Sequence, residues 1–136
     1  MKKLTILLIS TLLVMPGVSQ ADDRVMVELR PEQQNFVLSH MKSMLETIGA
    51  IQLDMAEGNS EKIAQRVRAF KAEEHKIKPR GIGKWFPKGF RAMSKEMNKH
   101  WKVLLQPTTD DKKVQQELHL ILNQCNACHR SYQLKR

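Results

Sequence analysis

Apolar residues recur at intervals of three and four through most of this chain, and that pattern restricts it to packed helices. After Pro31 the residues Val37, Met41, Met44, Ile48, Ile51 and Met55 follow one another at 4, 3, 4, 3 and 4. This is a stripe along one helical face, whereas a half-buried strand would alternate. Pro31 suits a first helical turn, and Glu32 behind it suits the positive end of the helix. Gly58 and Asn59 mark the end of that helix. Asn59 or Ser60 is expected to cap a second one, with Ile63, Val67 and Phe70 on its apolar face. It fades in the polar stretch Glu73 to Lys78. Two prolines and two glycines between Pro79 and Pro87 make a connection, whose Trp85 and Phe86 are expected to pack against the helices. A third helix carries Phe90, Met93, Met97, Trp101 and Leu104 and stops at Pro107. Thr108 or Thr109 is expected to cap a fourth, with Asp110 and Asp111 in its first turn. Its face reads Val114, Leu118, Ile121, Cys125, Cys128 and Tyr132. No strand signal, repeat or low-complexity segment is visible. The expected fold is all-α, an antiparallel four-helix bundle with short loops.

The 136 residues suit one domain, but the first 21 are not expected to belong to it. Lys2 and Lys3 precede an apolar run from Leu4 to Val14, Pro16 and Gly17 break it, and Ser19-Gln20-Ala21 forms a small-x-small cleavage site. These are the parts of a secretory signal peptide, and the run is well short of the ~20 residues that span a bilayer. Residues 22–136 then form the exported, periplasmic domain, with no stable membrane insertion after cleavage. Losing two lysines and no acid takes the formal charge from +9 to +7. A basic surface favours acidic proteins or anionic membranes, and export disfavours nucleic acid. The same charge also serves solubility.

Chemistry is concentrated in Cys125-Asn126-Ala127-Cys128-His129. Cys-x-x-Cys-His is the attachment signature of c-type haem. Residues three apart share one helical face, so both thiols can form thioethers to one porphyrin, and His129 beside them can ligate its iron. A zinc site would need two further ligands, and His40, His75, His100 and His119 bring no second paired motif. A thioredoxin-like Cys-x-x-Cys belongs at a helix start after a strand, not deep in a last helix. A structural disulfide gives no role to His129. One covalent haem c near the C-terminus is therefore expected. The six methionines beyond the leader suit a lining for a large flat group as well as ordinary packing. His75, His100 and His119 lie off the apolar stripes and are expected to face water. Trp101 and Tyr132 are on inward faces, against the cofactor or the core.

A haem motif on the last of four helices resembles the class II cytochromes c, the cytochrome c′ and cytochrome c-556 group. His40-Met41-Lys42, the Gly58 turn, Trp85 to Gly89 and Cys125 to Tyr132 match that family's landmarks. The resemblance implies haem packed against the first, third and fourth helices, and a sixth iron ligand from the first. Met41 matches the ligand position and lies on the inward stripe. Met44 is one turn along, His40 is adjacent but off the stripe, and an apolar residue there would leave the site open. Val37 stands where the family commonly has an Arg near a propionate, and Gln133 follows Tyr132 where an Arg is common; Arg130, Lys135 or Arg136 can supply charge instead. The implied function is single-electron transfer to a redox partner with an acidic docking surface, with no enzymatic role. The alternative is a five-coordinate iron that binds nitric oxide or carbon monoxide. The family often pairs through its first two helices, which leaves a homodimer open.

Overall fold

A computed structural model describes residues 22–135; the leader expected over 1–21 lies outside the described residues, as does Arg136. The chain is mostly helical. Its elements are β1 (Val25–Val27), α1 (Pro31–Ala56), α2 (Ile63–Ile77), α3 (Lys88–Val103), α4 (Asp111–Ser131) and β2 (Tyr132–Leu134). Short 3-10 turns at Ser60–Lys62 and Ile82–Trp85 lead into the segments around α2 and α3. Among the described residues no helix is long and apolar enough to cross a membrane.

The stripe of α1 buries as its spacing predicts: Val37, Met44, Ile48 and Ile51 are all inside. Pro31 is the first helical residue, where its missing N–H costs nothing. The helix ends before Gly58, whose φ of +73° is a left-handed conformation that glycine adopts without strain. Two expected caps differ. Asn59 and Ser60 make no side-chain cap; the Ser60 hydroxyl instead donates to the Asp111 carboxylate and ties the 3-10 turn to the start of α4. At α4 the cap is Asp110, whose Oδ1 accepts from the Lys113 amide at 3.1 Å, while Thr108 Oγ1 accepts from the Asp110 amide at 3.1 Å. Extended backbone at Asp110 aims its carboxylate at the third helical N–H, and a charged acceptor also suits the helix dipole.

The expectation of no strands is corrected. β1 and β2 pair in parallel, with Val25 opposite Tyr132, Met26 opposite Gln133 and Val27 opposite Leu134. Each strand has three residues, too few to show a period, and the partners lie over a hundred positions apart, so no local signal announces them. Tyr132 is consequently not on the face of α4: the helix stops at Ser131 and Tyr132 is extended, at φ −134° and ψ 149°. Its ring meets Phe90 edge-on at 5.5 Å, and its hydroxyl lies so close over Gly89 that any side chain there would collide with it.

One apolar core draws on all four helices. Ile51, Ile63, Val67, Trp101, Leu104, Val114 and Ile121 are buried in it. These come from the C-terminal halves of α1 and α3 and the first two-thirds of α2 and α4, so the dense packing occupies one end of the helices. Trp101 belongs to this end, fully buried with its ring 5.0 Å from Phe70. Asp54 of α1 is buried there too and accepts from Arg66 Nη2 of α2 at 2.8 Å, a charge-assisted bond that satisfies an otherwise costly buried carboxylate. At the other end the helices part around a cavity.

Candidate cofactor-attachment site

The cavity at the open end has a volume of about 600 Å³. α1 supplies one wall through Val37, Met41, Met44 and Ile48, α3 another through Phe90, Met93 and Met97, and α4 a third through Leu122, Cys125 and Cys128. Protein interiors close-pack with few voids larger than a water molecule, so apolar walls this far apart fit a large apolar group. A second cavity of about 410 Å³ adjoins it, lined by Arg24, Gln34 and Gln133, and the two share Met41, Phe90, Cys128 and His129. Every residue singled out from the haem motif and the helix-one ligand positions faces the larger cavity: Cys125, Cys128, His129, Met41, Met44 and His40.

The two thiols sit one turn apart on α4 and are free, not joined in a disulfide. Burial pushes the Cys125 thiol up from its ordinary value, and burial together with the neighbouring Cys125 does the same to Cys128. Cys128 Sγ lies 3.6 Å from Met93 Sδ across the cavity wall. Met93 was legible only as a packing residue of α3. His129 follows on the exposed edge, and its backbone carbonyl accepts from the Arg24 guanidinium at 3.2 Å. The N-terminal segment thereby braces the turn that carries the motif.

His40 departs from the expectation that it lies off the apolar stripe. Its ring is stacked between Phe36 at 5.6 Å and Phe70 at 5.4 Å, both within 8° of parallel. The side chain is 17 % exposed, and Nε2 lies 3.9 Å from Glu74 Oε1. Phe36 one turn before His40 was the available signal: aromatic residues four apart meet on a helix. Burial pushes the imidazole pKa down; Glu74 opposes that shift, and Lys71 and Lys78 add to it. Burial also pushes the Glu74 carboxyl up, but the hydrogen bond from Lys71 and the charges of Lys71, His40 and Lys78 leave it below the ordinary range. Lys71 Nζ donates to Glu74 at 2.9 Å and to Asn98 at 2.6 Å, linking α2 to α3 at the cavity rim.

Of the other histidines, His75 and His119 are exposed as expected. His100 is not: its side chain is 17 % exposed and Nδ1 lies 2.8 Å from Glu117 Oε2, a bond between α3 and α4. Position off an apolar stripe says nothing about a carboxylate on the facing helix. Trp85 also differs from its expectation. Phe86 stacks on Phe90 at 4.4 Å and lines the cavity, but Trp85 is 52 % exposed, with the Arg30 guanidinium 5.6 Å from its ring.

No family model, curated protein or solved structure matches the chain. Among the described residues no three His, Cys, Asp or Glu side chains gather as they would around a metal ion, and that holds for Cys125, Cys128 and His129 as well. Two thiols, an imidazole and a thioether border the same apolar-walled cavity. That set fits a flat, largely apolar group held by two sulfur bonds, with an imidazole and a thioether for its metal.

Proposed function

We propose that this chain is an exported, periplasmic c-type cytochrome of the class II kind, an antiparallel four-helix bundle that works as a single-electron carrier. Cys125 and Cys128 would hold one haem c through thioethers, His129 would ligate its iron, and Met41 would take the sixth position. The observation that carries this reading is the convergence of Cys125, Cys128, His129 and Met41 on one apolar cavity.

The haem, when bound, supplies one-electron Fe(III)/Fe(II) chemistry. The chain supplies the rest. Two covalent anchors one turn apart fix the group in a domain too small to enclose it by packing alone. Phe86, Phe90, Met93 and Met97 give the cavity apolar walls, and the polarity of the surround is one of the levers that set a haem potential. Met41 is favoured over its rivals by its surroundings. It borders both cavities, whereas the His40 ring is held between two phenyl rings beside Glu74. Met44 is 8 % exposed and belongs to the packed core. A protein ligand in the sixth position keeps small molecules off the metal, which suits a carrier and not an enzyme or a gas sensor.

The test is optical. The protein purified from a host able to attach haem should be red, with a low-spin spectrum in both oxidation states and the weak far-red absorption of thioether-ligated ferric haem. Carbon monoxide should leave the reduced spectrum unchanged. Met41→Ala should abolish the far-red band and admit carbon monoxide. A high-spin, gas-responsive wild type would overturn the Met41 assignment and move the chain to the gas-binding class. A colourless product would overturn the haem reading itself.

A further inference from the structure

Between Glu74 and Glu96 the chain carries seven Lys and Arg residues and no carboxylate. They are Lys76, Lys78, Arg80, Lys84, Lys88, Arg91 and Lys95, and every one is exposed. This segment runs from the last turn of α2, through the connection, into the first half of α3. Only two of the seven are neutralised by carboxylates among the described residues: Lys76 pairs with Glu73 at 3.4 Å and Lys78 with Glu74 at 3.3 Å. Arg91 donates to the backbone carbonyls of Gly83 and Phe86, which holds the connection against α3 and leaves its charge uncompensated. The charge is placed where it matters. Lys78, Ile82, Phe86 and Phe90 of the same segment form a wall of the cavity that opens on Cys125 and Cys128. In the middle of the cations stands Trp85, half exposed and backed by Arg30.

An exposed Trp within a segment of exposed, unpaired cations has the makings of a transient protein interface, an aromatic anchor flanked by charges that steer encounter. A positive rim of five free charges selects a negatively charged partner, and its field raises the encounter rate by about 10- to 1,000-fold at low salt. We propose that residues 76–95 are the docking face for an acidic redox protein, with Trp85 as the apolar anchor and Arg80, Lys84, Lys88, Arg91 and Lys95 as the steering charges. The inference rests on the electron-carrier reading, since it brings the partner's redox centre to the wall of the cofactor cavity. It goes beyond that reading by locating the contact. A general excess of positive charge would not do this, because steering by net charge alone would not depend on which lysine is removed.

The test compares two charge reversals of equal size. Lys84→Glu/Lys88→Glu lies in the proposed face; Glu at position 88 suits the start of α3, so folding should survive. Lys112→Glu/Lys113→Glu lies in the first turn of α4, about 20 Å along the helix from Cys125. Stopped-flow reduction of the haem protein by reduced flavodoxin, an acidic one-electron donor, should slow about tenfold or more in the first variant at low ionic strength and less than about twofold in the second. The difference should vanish near 1 M salt, where the screening length is about 3 Å. Trp85→Ala should weaken flavodoxin binding, measured calorimetrically, without changing its salt dependence. Equal slowing by both reversals, or by neither, would overturn the proposal. So would vesicles containing phosphatidylglycerol that bind the wild type but not the Lys84/Lys88 variant at physiological salt, which would make the face a membrane surface. If the purified protein carries no haem, the electron-carrier reading fails on its spectrum alone. Calorimetry with the same flavodoxin still decides the docking face, and loss of binding confined to the Lys84/Lys88 variant is the outcome it requires.

Discussion

Asp54 shows how one side chain can hold two helices at a defined pH range. It is 2 % exposed, and Arg66 donates to it from α2, so the hydrogen bond holds its carboxyl below the ordinary 3.8 against the opposing effect of burial. A carboxylate with a depressed folded pKa contributes stability that is complete above its unfolded value and is lost as pH falls through the folded value. Asp54→Asn should therefore lower the melting temperature at neutral pH, by an amount equivalent to about 2 kcal/mol. The gap between wild type and variant should stay constant above about pH 5 and close as the pH falls through 3.8 and below. Thermal unfolding of both proteins across that range checks it. A gap that persisted at low pH would mean that the loss comes from packing and not from the ion pair. Asp54 was invisible in the pattern because it sits beside the apolar stripe, three residues after Ile51 and one before Met55. The position is inward-facing, and only the presence of Arg66 on the neighbouring helix makes a carboxylate tolerable there.

The strand pair is the element that spacing arguments missed, and it is the one that closes the chain on itself. β1 lies just before α1 and β2 just after the haem motif, so their pairing draws the two ends of the described chain together beside His129. Lys135 N–H donates to the Val27 carbonyl at 3.1 Å, Lys135 Nζ pairs with Glu28 at 2.8 Å, and Gln34 Nε2 donates to the Lys135 carbonyl at 3.3 Å. Exposed ion pairs of this kind contribute little on their own. The buried side chain of Val27, 2 % exposed, is the apolar anchor of the clamp. Val27→Ala should cost about 1–2 kcal/mol, at the lower end of core truncations. Amide exchange should accelerate at Gln133 to Lys135 before it does in the dense core, as expected for a locally opening unit. Unchanged exchange there would show that the ion pairs hold β2 without Val27. The helices, by contrast, were legible to within a few residues, because each carries its own repeating apolar face and its own punctuation.

Across the whole molecule the packing is uneven. One end is filled by Trp101, Leu104 and aliphatic side chains, while the other surrounds a cavity of about 600 Å³. Apolar walls that face a large gap lose dispersion contacts that a fitted group restores. If the chain carries the haem proposed above, blocking its attachment by Cys125→Ser/Cys128→Ser should speed amide exchange in residues 36–48 and 88–98. Those around Ile51, Ile63 and Val114 should change far less. Uniform loosening throughout the chain would instead make the haem necessary for the whole fold. The local properties of this chain, its four amphipathic helices, their stops at Gly58 and before Pro107, and the Cys-x-x-Cys-His run at Cys125 to His129, follow from residue type and interval, because a helical period needs only neighbours within a turn. What depends on elements far apart in the chain had to wait for the tertiary structure. That His40 is stacked between Phe36 and Phe70, that His100 meets Glu117, that Arg30 lies over the exposed Trp85 ring and that residues 25–27 pair with 132–134 are all meetings between segments. The interval between residues along a chain does not specify which distant segment each of them meets.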